Sequence, residues 1–266
     1  MKLIDRGNGP ALVLIPGLQG RWEYMRPAVD VLSASFRVLT FPLDDADVSR
    51  DRIGQGNGSG LDRYAEYVDS LMSHASVERA TICGVSFGGL IAVRFAARFP
   101  ARCEALILAS TPRPVLRLRP RHQVYLRAPW IFGPIFIAET PWRLRSEIRA
   151  AIPDTKERRR FSLRSLRTAL GAPVSVSRMA ERARMITTED VTPDCARITA
   201  PTLIVTGESH LDHVVPVEGS SEYLRLIPDS RAAVLVRTGH LGTITRPDAF
   251  AAIVRGFIER HRHAAA

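Results

Sequence analysis

Short apolar runs alternate with longer amphipathic stretches along most of this chain. Leu12-Val13-Leu14-Ile15 and Ala80-Thr81-Ile82-Cys83 are apolar or β-branched at successive positions, the pattern of a strand covered on both faces of a sheet. The pattern predicts strands near 11–16, 36–41, 79–84 and 105–110, with Lys2-Leu3-Ile4-Asp5 as an edge strand. Leu90 to Phe99 is a mostly apolar helical stretch stopped by Pro100. The alternation resumes with a strand over Thr202-Leu203-Ile204-Val205-Thr206-Gly207 and a helix near 218–227. A strand over Ala232-Ala233-Val234-Leu235-Val236 and a helix from about Asp248 to Arg260 follow. Such alternation predicts an α/β fold with a mostly parallel central sheet flanked by helices. Residues 113–198 break the rhythm and read as helices alone. The expected organisation is a core of residues 1–112 and 199–266, interrupted by a helical insertion over 113–198.

The candidate chemistry lies at the ends of these strands. Gly84-Val85-Ser86-Phe87-Gly88 joins the strand at 79–84 to the helix that follows. On such a turn a serine is held in a strained backbone with its hydroxyl exposed, and the glycines admit a close approach of strand and helix. A serine hydroxyl is a weak nucleophile unless a base takes its proton, and the base needs a third group to orient it. The loop after the strand at 202–207 carries Asp212, and His240 follows the strand at 232–236. Residues just beyond strand ends gather on one edge of a parallel sheet. Glu208 follows the same strand as Asp212 and is the alternative acid, but Asp212 sits deeper in the loop, four residues before Pro216. Pro16-Gly17-Leu18-Gln19-Gly20 ends the strand at 11–16. The backbone N–H of Phe87 and that of Leu18, with Gln19 as the alternative, are the expected donors to an oxyanion.

These parts, in this order, resemble the α/β-hydrolase superfamily over nearly the whole chain, from Leu12 to about Arg260. The segment Ile198-Thr199-Ala200-Pro201 with the strand after it, followed by Asp212 and Pro216, is similar to the acid-loop signature of the subgroup that holds small esterases, lactonases and perhydrolases. Pro16 stands where the family usually has a histidine, and only one edge strand fits before the oxyanion strand. The resemblance implies a helical cap over 113–198 that covers the site and sets substrate choice. It also implies a serine hydrolase that cleaves a small-molecule carboxylic ester, thioester or lactone through an acyl-enzyme, with catalytic Ser86, Asp212 and His240 and no cofactor. An acyltransferase would use the same residues, and a ligand-binding or signalling protein without turnover is a third reading. Serine at the elbow argues against dehalogenase and epoxide-hydrolase relatives, which use aspartate there, and against the cysteine-based lactone hydrolases.

Charge changes the picture of the insertion. The chain carries a net charge of +10, and residues 113–198 account for all of it, with 18 basic and eight acidic residues against 19 of each elsewhere. A solvated helical face is the ordinary meaning of such a run. Recognition of an anionic substrate or acyl carrier, or attraction to an anionic membrane, are the functional alternatives. No recognition motif accompanies the charge, so nucleic acid is not expected. The apolar stretch from Trp130 to Ile137 reads as packing of cap on core. Trp130, Phe132 and Phe136 are also candidates for a pocket wall, with His213 at its mouth.

His210, Asp212 and His213 lack a recognised metal spacing, and no metal is expected. Cys83, Cys103 and Cys195 show no framework spacing. Asp44, Asp45, Asp47 and Asp51 form an acidic loop, and the alternating glycines from Gly54 to Gly60 have no phosphate-loop pattern. No apolar run reaches a membrane span, and the first residues carry no signal-peptide pattern, so a cytoplasmic location is expected. The pattern carries no sign of oligomeric state.

Overall fold

Seven strands form one sheet in a computed structural model of the chain, which describes residues 2–43, 60–115, 130–131, 139–140 and 142–265. They are β1 (Ile4–Arg6), β2 (Ala11–Ile15), β3 (Arg37–Thr40), β4 (Ala80–Val85), β5 (Cys103–Ala109), β6 (Thr202–Thr206) and β7 (Ser230–Val234). Their spatial order is β1-β3-β2-β4-β5-β6-β7. β1 runs antiparallel to β3, and every other neighbouring pair is parallel. Among the described residues the α-helices with defined bounds, in chain order, are α1 (Arg26–Leu32), α2 (Gly60–His74), α3 (Phe87–Arg98), α4 (Arg145–Ala151), α5 (Thr155–Gly171), α6 (Val176–Thr188), α7 (Thr192–Cys195), α8 (Val217–Ser220), α9 (Tyr223–Leu226), α10 (Gly242–Thr245) and α11 (Pro247–Ala265).

The two-residue period of β2 builds both layers of the core. Val13 and Ile15 point to the face covered by α2 and α3, among Tyr64, Phe87 and Phe95. Leu12 and Leu14 point to the other, among Val29 of α1 and Phe250, Val254 and Phe257 of α11. Each fully buried side chain of this size contributes about 1.5–3 kcal/mol. β4 lies between β2 and β5 and is buried at every position, so its turn is held from both sides.

Two elements differ from the sequence reading. β7 is Ser230–Val234, two residues earlier than expected, and it is largely exposed. It ends the sheet, so only one neighbour and one packed face constrain it, and Val234 and Val236 remain 53% exposed while Leu235 turns inward. The single helix expected near 218–227 is two short turns, α8 and α9. Side-chain bonds fix each turn to the end of β5: the Ser220 hydroxyl donates to Thr111 O and the Tyr223 hydroxyl to Pro112 O. The acidic and glycine-rich loops expected over 44–59 lie outside the described residues.

The described helices between β5 and β6 tie into the core through ion pairs as well as packing. Arg94 of α3 binds Asp62 of α2 at 2.7 Å and Asp194 of α7 at 2.6 Å.

Candidate active site

The turn from β4 into α3 shows why its residues have the identities they have. Ser86 adopts φ 54°, ψ −121°, a region that L side chains rarely enter. A Cβ on Gly84 would lie 2.3 Å from the carbonyl oxygen of Gly88, and one on Gly88 would lie 2.4 Å from that of Ile15. Both positions therefore exclude any side chain, and the compressed turn pushes Ser86 out of line. Backbone bonds hold it there, from Ser86 N–H to Ala109 O at 2.9 Å and from Gly89 N–H to Ser86 O at 2.8 Å. Such strain costs of order 1–3 kcal/mol and persists only where the surroundings over-determine it.

Three strand ends bring Ser86, His240 and Asp212 together. His240 Nε2 lies 3.2 Å from Ser86 Oγ. Its Nδ1 lies 3.5 Å from Asp212 Oδ2, an ion-pair distance with no hydrogen bond formed. Closing it by about half an ångström would make that bond, and such contacts often tighten only with substrate bound. The other Asp212 oxygen accepts from the backbone N–H groups of Val214 and Val215, at 2.9 and 2.8 Å. Burial pushes the Asp212 carboxyl up, but His240 and these two N–H groups outweigh it and hold the acid below its ordinary range. The result is an ionised carboxylate, fixed by its own loop and aimed at the imidazole.

The loop after β2 lies against the serine. A Cβ on Gly17 would meet Ser86 Cβ at 3.3 Å. Phe87 opens α3, so its N–H is one of the first-turn donors that have no acceptor within the helix. Leu18 and Gln19 follow Gly17 in the same loop.

Two residues of the segment between β5 and β6 join this arrangement, and no motif in the sequence marks them. Glu147 of α4 is fully buried, and its Oε1 accepts from the Leu241 N–H at 2.5 Å. Burial pushes its carboxyl up, against the pull of the Leu241 and Gly239 N–H groups and of His240. Arg182 of α6 is 4% exposed and donates to Leu18 O at 3.0 Å, to Leu43 O at 2.5 Å and to the Tyr64 hydroxyl at 3.3 Å. Its guanidinium fills the space beside Gly20, where a Cβ would come within 2.4 Å of it. Both side chains engage backbone groups, which leave no trace in side-chain patterns.

Other expected residues fall elsewhere. Glu208 lies 3.6 Å from the exposed His210 rather than beside the His240 imidazole, whose carboxylate neighbour is Asp212. It borders a shallow depression of about 520 Å³, with His210 and Glu218, that contains none of Ser86, Asp212 and His240. His213 is exposed and sits 3.2 Å from Ser146 Oγ of α4. Trp130 departs from the expectation of a packed or pocket-lining side chain: it is 77% exposed. Phe132 and Phe136 lie outside the described residues. Among the described residues, no group of three His, Cys, Asp or Glu side chains converges as a metal site. Cys83, Cys103 and Cys195 are free and buried, and burial pushes each thiol up to about 12. Among the described residues, no helix is long and apolar enough to cross a membrane.

Comparison with known proteins agrees with the architecture. The RutD protein of Pantoea ananatis (strain LMG 20103), named provisionally as a carbamate hydrolase, is 22% identical over 97% of this chain and 92% of its own length. The enol-lactonase of Burkholderia xenovorans LB400 superposes with a TM-score of 0.72 at 22% identity, over 97% of this chain and 96% of that one. Est816, described as an N-acyl homoserine lactone degrading enzyme, superposes with a TM-score of 0.74 at 19% identity, over 96% of each chain. The family model for the alpha/beta hydrolase fold matches residues 10–247, which hold the sheet from β2 onward and every strand-end residue described above. The chain belongs to the alpha/beta hydrolase fold family.

Proposed function

We propose that this protein is a serine hydrolase that cleaves a small carboxylic ester, thioester or lactone through an acyl-enzyme. The observation that carries the reading is the Ser86 Oγ to His240 Nε2 distance of 3.2 Å at a serine of φ 54°, with Asp212 behind the imidazole. Ser86 attacks the substrate carbonyl while His240 takes its proton. His240 then protonates the leaving group, and a water activated by the same imidazole releases the acyl group. Asp212 keeps the His240 proton on Nδ1 and balances the imidazolium that forms. The N–H groups of Phe87 and Leu18, or of Gln19 in place of Leu18, hold the developing oxyanion.

Residues 113–198 act in this reading as a cap. Ser146 against His213, Glu147 against Leu241 and Arg182 against Leu18 support it, since the segment touches the loops that carry Asp212, His240 and the oxyanion donors. Glu147 and Arg182 serve as positioning residues, the first for the His240 loop and the second for the oxyanion loop. The names of the similar proteins, which refer to lactones and to a carbamate, fit a substrate whose carbonyl passes through a tetrahedral adduct.

The test is labelling with a fluorophosphonate probe, together with turnover of p-nitrophenyl esters of increasing acyl length. Wild type should label and turn over, and Ser86→Ala should lose both, with kcat/KM falling by roughly 10⁴-fold or more. A folded wild type that neither labels nor turns over would overturn the reading in favour of ligand binding without catalysis.

A further inference from the structure

The helix α5 is out of keeping with the rest of the molecule. It is 17 residues long, yet none of its residues is buried. Helices in proteins owe most of their stability to packing of one apolar face, and this one makes little use of that source. Only Arg158, Phe161 and Thr168 are partly covered, and they share the inner side. Arg158 spends its guanidinium on Ile152 O and Pro153 O, at 2.8 and 2.7 Å, below the helix. The Asp154 cap on the Glu157 N–H at 2.8 Å starts the helix, and the Tyr24 hydroxyl on Ala172 O at 3.2 Å anchors its far end.

The outer side is both apolar and cationic. Leu163, Leu166 and Leu170 are 54%, 56% and 76% exposed, and the spacing i, i+3, i+7 sets them in one stripe along the axis. Lys156, Arg160, Arg164 and Arg167 run beside the stripe, and Arg159 lies at its N-terminal end. Among the described residues none of these five cations is paired with a carboxylate, although arginines of α3 and of β3 are. Glu157 is the one acid in the helix. An exposed leucine stripe bordered by unpaired cations is the pattern of a helix that lies in the plane of a membrane interface.

We propose that the outer face of α5 docks this protein on an anionic lipid bilayer. The leucines would enter the boundary between headgroups and acyl chains, while the long basic side chains reach back to lipid phosphates. A second copy of the chain fits poorly, because pairing the two faces would bring two rows of unpaired cations together. An acidic protein would need a groove shaped to a convex ridge, whereas a fluid bilayer deforms around it. This inference stands apart from the catalytic reading, since it concerns partitioning rather than turnover.

The experiment is co-sedimentation of the full chain with vesicles of pure phosphatidylcholine and with vesicles containing a quarter phosphatidylglycerol, at low and at high salt. Two triple variants accompany it, Arg159→Gln with Arg160→Gln and Arg167→Gln, and Leu163→Ser with Leu166→Ser and Leu170→Ser. All six side chains are exposed, and circular dichroism with thermal melting checks that both variants fold. Wild type should bind the anionic vesicles at least tenfold more tightly than the neutral ones, and high salt should weaken that binding. The arginine variant should bind the anionic vesicles roughly a hundredfold more weakly, and the leucine variant should lose the binding that survives high salt. Equal partitioning of wild type onto both vesicles, or binding unchanged in both folded variants, would overturn the proposal. So would wild type that sediments with neither vesicle and instead self-associates through α5.

Discussion

The carboxylate of Glu147 accepts a 2.5 Å hydrogen bond from the backbone N–H of Leu241, the residue that follows His240. A fully buried acid from the segment between β5 and β6 thus grips the loop that carries the imidazole. Its negative charge lies within electrostatic reach of His240 and of Asp212, so this one contact joins the placement of the helices between β5 and β6 to the charge environment of the imidazole.

Glu147→Gln separates the hydrogen bond from the charge, because the amide oxygen can still accept from Leu241. Its kcat/KM should stay within about tenfold of wild type, because the hydrogen bond that places the His240 loop is kept. Burial raises the Glu147 pKa in the folded state, so the native protein holds this proton more tightly than the unfolded chain. Stability from this group is present at low pH and lost as pH rises through the folded pKa. The melting temperature of Glu147→Gln should match wild type in acid and exceed it near neutrality. Glu147→Ala leaves the Leu241 N–H unpaired and should cost about 1–3 kcal/mol in acid, a cost that shrinks as pH rises through the folded pKa of Glu147.

The two acids of the loop after β6 should part completely in their effects. Asp212→Asn preserves shape but presents the wrong partner to Nδ1, and kcat should fall roughly 10⁴-fold. Glu208→Gln alters only an exposed pair with His210 and should leave kcat/KM within about twofold of wild type. Measured esterase kinetics on the two variants decide between them. Asp212 also carries a pH signature of the reverse sign to Glu147. Its pKa is lowered from the ordinary value of 3.8, so its stabilisation is present above that value and is lost as pH falls through the folded pKa. The wild-type and Asp212→Asn melting curves should converge in strong acid.

Arg182→Met removes the donor to Leu18 O and Leu43 O while keeping much of the volume. The loop after β2, the proposed source of an oxyanion donor, should loosen, lowering kcat by tenfold or more with a smaller change in KM. Stability should fall by about 3 kcal/mol as the buried Leu43 carbonyl and the part-buried Leu18 carbonyl lose a charged donor, which urea melts would read. A variant with wild-type kcat and unchanged stability would remove Arg182 from the positioning role.

Gly88→Ala should fail for a reason unrelated to chemistry. The added methyl would sit 2.4 Å from the Ile15 carbonyl oxygen at the end of a central strand and 2.6 Å from that of Pro16 just beyond it. A loss of more than about 3 kcal/mol is expected, seen as low soluble yield or a depressed melting temperature. Gly171→Ala is the control, since nothing lies within 4 Å of a Cβ there.

The strands that carry Ser86, Asp212 and the Gly17 loop were readable because each is buried on both faces. β2 and β4 have apolar runs with no alternation, and these mark central parallel strands wherever they occur. β7 was misplaced by two residues for the complementary reason. At the sheet edge Ala232, Val234 and Val236 need not be covered, so apolar character no longer reports the pairing register. The break between α8 and α9 depends on Ser220 and Tyr223 reaching carbonyls more than 100 residues away, at Thr111 and Pro112.

The sequence by itself determined the fold, because a doubly buried strand and an amphipathic helix are local patterns. It determined the order of Ser86, Asp212 and His240 along the chain, because each follows an apolar run that contributes a strand to the sheet. Only the tertiary structure decided what surrounds them. That Glu147 and Arg182 reach the His240 loop and the loop after β2 follows from where α4 and α6 come to rest, and both bind backbone atoms that every residue possesses. That the basic charge of the insertion includes a leucine-striped outer face on α5 follows from which side of that helix the core leaves uncovered. Chain-local patterns fix which elements form. The docking of one element on another fixes which backbone groups are gripped and which faces stay open, and that depends on contacts distant in sequence.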